Sequence, residues 1–125
     1  GITCEFAQRA HEVISIDTNP EAIEVTSKNL EKFGLGDNVT LINDDGANVL
    51  KDIDDIDIAI VGGSGRQLEN ILDIVHEKLN SKGRIIITAI LCCKCFRFCS
   101  FINRFSIRTG GYSLHFFSIF KNINN

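Results

Sequence analysis

The chain has no methionine, a single proline, and not one acidic residue after Leu91. The missing initiator methionine gives the expectation of a segment that begins inside a longer protein. Gly1 to Ala10 has neither the basic start nor the apolar core of a secretory signal. No apolar run reaches the roughly 18 residues that span a bilayer, so no membrane helix is expected. With one proline there is no proline-rich linker, and no segment repeats another, so 125 residues make one domain at most. The five cysteines are odd in number, and four of them crowd between Cys92 and Cys99. That is not the framework of a secreted disulfide protein. A reducing cytoplasm is the expected compartment.

Charge divides the chain in two. Residues 1–91 carry all sixteen acids and eight of the thirteen bases, a net of −8, while residues 92–125 carry five bases. A typical segment of that second length would hold about four acids. Seven of the nine phenylalanines also follow Leu91. The chain therefore reads as a core, 1–91, joined to an atypical Cys- and Phe-rich segment, 92–125. The acidity of the core argues against nucleic acid as a partner, because backbone phosphates need clustered Lys and Arg.

Within the core, apolar periodicity switches back and forth between strand and helix. A helix is expected over Ile2 to Ala10, then a short β-branched strand over Glu12 to Ile16. Thr18 or Asn19 can cap the next helix, with Pro20 in its first turn and Gly34 and Gly36 beyond its end. Asn38 to Ile42 reads as a strand, Ala47 to Lys51 as a short helix, and Ile56 to Val61 as a strand apolar enough to be covered on both faces. Leu68, Ile71, Leu72, Val75 and Leu79 recur at helical spacing. Ser81 to Gly83 reads as a turn, and Arg84 to Leu91 as the last buried strand. This alternation implies an α/β fold, a parallel sheet with helices on both faces.

Two nucleotide folds share that plan, the dehydrogenase-type Rossmann domain and the class I methyltransferase. Both place an acid at the end of the second strand, where a carboxylate accepts hydrogen bonds from ribose hydroxyls. Asp17 stands there. Both also need a glycine loop after the first strand. Gly1 lies sixteen positions before Asp17, near the spacing of about 20 between that loop and its acid, and reads as the loop's last glycine. The expectation is thus a Rossmann-like fold lacking its first strand. That strand belongs centrally, between the strands ending at Asp17 and Val61, so a gap is expected in the sheet.

The runs Ile14–Leu41 (ISIDTNPEAIEVTSKNLEKFGLGDNVTL), Asn38–Asp45 (NVTLINDD), Ile56–Gly65 (IDIAIVGGSG) and Lys82–Leu91 (KGRIIITAIL) resemble the decarboxylating precorrin and cobalt-precorrin C15-methyltransferases of cobalamin biosynthesis. The most specific part is the GGSG loop between a buried strand and a helix. The resemblance covers roughly residues 1 to 91. It implies a class I methyltransferase using S-adenosyl-L-methionine, a tetrapyrrole substrate methylated at C15, and loss of carbon dioxide from the acetate on C12. It also implies assembly as a tetramer in members that stand alone. Asp17 then holds the ribose, and Asp45 and Gly46 contact adenine. Gly62, Gly63, Ser64 and Gly65 lie beside the methyl group, on the substrate side. The chain departs from the family at Asp44 and Gly46, where the pattern is Gly-Asp-Ala, and at Arg66, where glycine is frequent.

No general base is evident. His11 is expected at a helix end and His76 on a helix remote from the strand ends. Methyl transfer to a nucleophilic carbon depends mainly on in-line placement, so the catalytic residues stay unassigned. Cys92, Cys93, Cys95 and Cys99 are spaced too tightly for a zinc site, and no metal is expected. Cys4 reads as a core residue. Residues 92–125 read as translation in a shifted frame of AT-rich DNA, with a diverged hairpin around Gly110-Gly111 as the alternative. The rival functions are another class I methyltransferase, acting on RNA, protein or a small molecule, a non-catalytic fragment, and a dehydrogenase.

Overall fold

The computed structural model describes residues 1–62, 67–88 and 117–123 of the chain. In order they form α1 (Ile2–Ala7), β1 (Ala10–Ile16), α2 (Pro20–Lys32), β2 (Val39–Ile42), α3 (Gly46–Leu50), β3 (Ile56–Gly62), α4 (Leu68–Lys78), β4 (Leu79–Thr88) and β5 (Phe117–Ile123). Local chemistry explains several boundaries. Asn19 caps α2 by accepting from the Glu21 amide at 3.0 Å, and Pro20 occupies the first turn, where its missing N–H costs nothing. At the other end the Gly34 amide donates to the Glu31 carbonyl and the Leu35 amide to the Leu30 carbonyl. This closure needs a left-handed residue, and Gly34 supplies it with φ +63°.

The sheet order is β2-β1-β5-β3-β4. β1 pairs parallel with β2, and β3 parallel with β4. β5 lies between the two pairs and is antiparallel to both β1 and β3. The β1–β2 and β3–β4 pairs are parallel, as expected, and one expectation is corrected here: the centre of the sheet is not a gap, because an antiparallel strand from the basic C-terminal segment fills it. The reason is hydrogen bonding: two inner strand edges left open would strand their amides and carbonyls, and β5 satisfies both sides.

Side chains alternate across β1. Ile14 and Ile16 face one layer, where they join Ala59 and Val61 of β3, Leu50 of α3 and Ile71, Leu72 and Val75 of α4 in the main core. Val13 faces the opposite layer with Ile60, packed against Ile2 and Phe6 of α1. A third cluster, Cys4, Ala7 and Leu30, joins α1 to α2. Helices thus cover both faces, α1 and α2 on one and α3 and α4 on the other. Each fully buried aliphatic side chain, such as Leu50 or Val75, contributes about 1.5–3 kcal/mol.

Two local expectations also change. α1 ends at Ala7 rather than Ala10, because Ala10 is already in β1 and pairs with Ile123. His11 is therefore a strand residue. The Ser81–Gly83 turn lies inside β4 as an irregularity: Ile56 pairs with Leu79, and Ile58 with Arg84. Glycine is required at position 83, since a Cβ there would collide with the Leu79 side chain and meet the Asn80 carbonyl at 2.9 Å.

Candidate functional site

Asp17 directly follows β1, and its amide donates to the Ile42 carbonyl at 3.1 Å, extending the β1–β2 ladder by one residue. Its backbone carbonyl accepts from Asn43 Nδ2 at 2.8 Å, which ties the loop after β1 to the loop after β2. Its Oδ1 accepts from the Asn19 amide at 2.8 Å. Its Oδ2 has no hydrogen-bond partner among the described residues. The carboxylate is thus fixed in direction and half free to accept. It stands at the carboxyl edge of the sheet, where open α/β sheets bind ligands.

A cavity of about 250 Å³ opens beside it, between the start of α1, the end of β1 and one side of α2. Gly1, Thr3, Ser15, Asp17 and Asn19 line its polar part, and Ala22 and Ile23 an apolar part. The volume is slightly below the roughly 300–1,000 Å³ of sites that enclose a whole drug-sized ligand. It suits a nucleoside fragment rather than a complete cofactor.

Gly1 and Asp17, far apart in sequence, are therefore brought together. Asp45 and Gly46 are not part of that cavity. Asp45 caps α3, accepting from the Ala47 amide at 2.9 Å, and Gly46 is the first residue of that helix. They stand on the same sheet edge as Asp17, one strand away. Gly62 closes β3, paired with Thr88. Between Ile16 and Val61 runs the backbone of Phe117, which pairs with both. Asp17 and Gly62 are thus two strand spacings apart, roughly 10 Å. Gly63, Ser64, Gly65 and Arg66 lie outside the described residues, as do Cys92, Cys93, Cys95 and Cys99.

Cys4 is buried, as its sequence context suggests. Among the described residues no group of His, Cys, Asp and Glu could hold a metal ion, and no helix is long and apolar enough to cross a membrane. Two lining residues were missed from sequence. The Thr3 and Ser15 hydroxyls meet at 3.3 Å, both buried. The available signal was Ser15 itself, a small polar residue two positions before the acid in an otherwise aliphatic strand.

The profile of the methyltransferase domain family matches residues 2–113. A probable cobalt-precorrin-6B C(15)-methyltransferase (decarboxylating) of Methanobrevibacter smithii is 74% identical over 91 residues, which is 73% of this chain and 49% of that protein. The protein of the same name from Methanothermobacter thermautotrophicus is 56% identical over 91 residues, 47% of its length. This chain thus spans about half the length of the curated relatives it matches. The crystal structure of precorrin 8W decarboxylase from Methanobacterium thermoautotrophicum superposes with a TM-score of 0.77 at 40% identity, over 95% of this chain and 73% of that one. With the acid at its strand end and helices on both faces of its sheet, the chain belongs to the methyltransferase domain family, and its first 91 residues or so are similar there to proteins named as decarboxylating cobalt-precorrin C15-methyltransferases.

Proposed function

We propose that this chain carries the ribose and adenine side of an S-adenosyl-L-methionine site, in an enzyme that methylates C15 of a precorrin or cobalt-precorrin and releases carbon dioxide. One observation carries the cofactor reading: Asp17 heads a nucleoside-sized cavity with Gly1 at its rim and one carboxylate oxygen free to accept. The substrate class follows from the names of relatives up to 74% identical. When bound, the cofactor supplies an electrophilic methyl group. Asp17 accepts from the ribose hydroxyls and fixes the sugar. With the cofactor bound, Asp45 and Gly46 would meet adenine from the neighbouring loop, and Gly62, two strands along the same sheet edge, would border the reacting carbon. A cytoplasmic enzyme, tetrameric as the resemblance implies, completes the reading.

Calorimetry with S-adenosylmethionine tests it. These 125 residues are expected to bind more weakly than micromolar, since the cavity holds only part of the cofactor. Asp17→Asn is expected to weaken what binding remains by tenfold or more, and an unchanged affinity would remove Asp17 from the site. Micromolar affinity would show that the site is more complete than proposed. A non-catalytic role is the second reading. The reversed β5 favours it, because it brings chain into the sheet at the ligand edge, at Phe117. Transfer of labelled methyl to a reduced precorrin by the chain would dismiss that role.

A further inference from the structure

The hydroxyl pair under the cavity has one proton more than it uses. Thr3 is 5% exposed and Ser15 4% exposed, and their oxygens are 3.3 Å apart. One hydroxyl donates to the other, so the acceptor's own O–H is left over. Neither side chain makes another hydrogen bond among the described residues. A buried donor without an acceptor is costly, which makes such a group rare unless water or a ligand satisfies it. Both residues line the cavity that Asp17 heads. Ser15 precedes Asp17 by two positions on an extended chain, so the two side chains leave the same face of the sheet roughly 7 Å apart.

We propose that Thr3 and Ser15 form a donor floor to this cavity, giving one O–H to a ribose oxygen while Asp17 accepts from the ribose hydroxyls. The assignment rests on the cofactor reading above and adds the complementary half of the recognition. An acid alone binds any diol. An acid and a donor side by side on one face of the strand select for the direction in which the sugar enters. The pair also explains why a polar residue occupies position 15, on a strand whose neighbours Val13, Ile14 and Ile16 are aliphatic and buried.

The test is the double variant Thr3→Val with Ser15→Ala, assayed in the whole chain for binding of adenosine and of S-adenosylhomocysteine by ligand-observed NMR at millimolar concentrations. Replacing both partners of a buried pair with near-isosteric apolar groups is close to neutral for folding. The denaturation midpoint is therefore expected to hold or rise, while affinity for both ligands falls roughly five- to tenfold, the equivalent of one net hydrogen bond. Either single variant keeps one hydroxyl free to donate and is expected to lose less than the double. Unchanged affinity in the double variant overturns the proposal, leaving the spare proton to an ordered water. A drop in affinity matched by a drop in midpoint also overturns it, because the pair would then be structural. Asp17→Asn separates the two levels: if it weakens binding and the double variant does not, the cofactor reading stands and the donor floor falls. If the unmodified chain binds neither ligand, both fall together.

Discussion

Lys78 shows how much of a residue's role depends on where its head group ends. It leaves the last turn of α4 and donates to the carbonyls of Lys51 at 2.9 Å and Ile53 at 2.7 Å, while Asp54 sits 3.5 Å away. Its side chain is 19% exposed and that of Asp54 83% exposed. The carbonyl bonds are shielded and satisfy the end of α3, and bonds from a charged donor contribute about 1.5–3 kcal/mol. The exposed ion pair contributes about 0–1 kcal/mol. Lys78→Met, which keeps the apolar stem, is expected to cost about 2 kcal/mol in urea unfolding. Asp54→Asn is expected to cost under about 1 kcal/mol. Equal losses would place the energy in the ion pair instead. Residue roles of this kind were only partly legible in the sequence. Asp17 could be read because a strand end followed by a cap and a proline fixes its location. Asp45 was readable as a strand-end acid, while its side-chain bond to the Ala47 amide was not. The Thr3–Ser15 pair depends on how α1 docks on β1, and no local pattern encodes that docking.

At the scale of elements, α2 and β3 follow their sequence periodicity closely, and α4 does so as far as Lys78, while Leu79, read as its last apolar position, opens β4 instead. α1 does not, and the reason is tertiary. Asn38 reaches from the loop before β2 and donates through Nδ2 to the carbonyl of Ala7 at 2.9 Å and of Ala10 at 2.7 Å. These bonds span the reversal between α1 and β1, and satisfy two carbonyls that a continued helix would have used internally. Because α1 and β1 both line the candidate cavity, this amide also sets the cavity's geometry. Asn38→Ala is expected to cost about 1–3 kcal/mol, the penalty of leaving part-buried acceptors without donors. Asn38→Asp should cost more, since a carboxylate would face both carbonyls. Hydrogen exchange gives the check: α1 amides should lose protection more than those of α4, and uniform loss would mean that Asn38 supports the whole domain equally. β4 differs from its reading for a similar reason. Ser81 to Gly83 has turn chemistry, but the strand continues through it by a shift in register against β3.

At the scale of the molecule, the decisive feature is the strand at the centre of the sheet. Sequence periodicity located four strands and the helices between them, apart from the ends of α1 and β4, while the place between β1 and β3 was expected to be a gap left by a missing first strand. It did not show which segment takes it, because FSIFKNI carries no clean alternation and lies in a segment whose composition breaks from the rest. The structure puts Phe117–Ile123 there, reversed, with Ile119 opposite Ile14 on one side and Ala59 on the other. A central strand bonds on both edges, so proline within it removes a ladder bond and obstructs the pairing, at about 3 kcal/mol or more. Domains of this size are commonly stable by about 5–15 kcal/mol. Ile119→Pro is therefore expected to remove a large part of the stability, lowering the melting temperature by 10 °C or more, on the order of 4–8 °C for each kcal/mol in a chain this short. Amides of β1 and β3 should lose exchange protection together, because both rely on the same partner. The control is Ser81→Pro, in the irregular stretch of β4 at the sheet's edge, where proline is better tolerated. If Ile119→Pro melts with the unmodified chain, β5 does not hold the centre of the sheet, and the place between β1 and β3 is open to another strand.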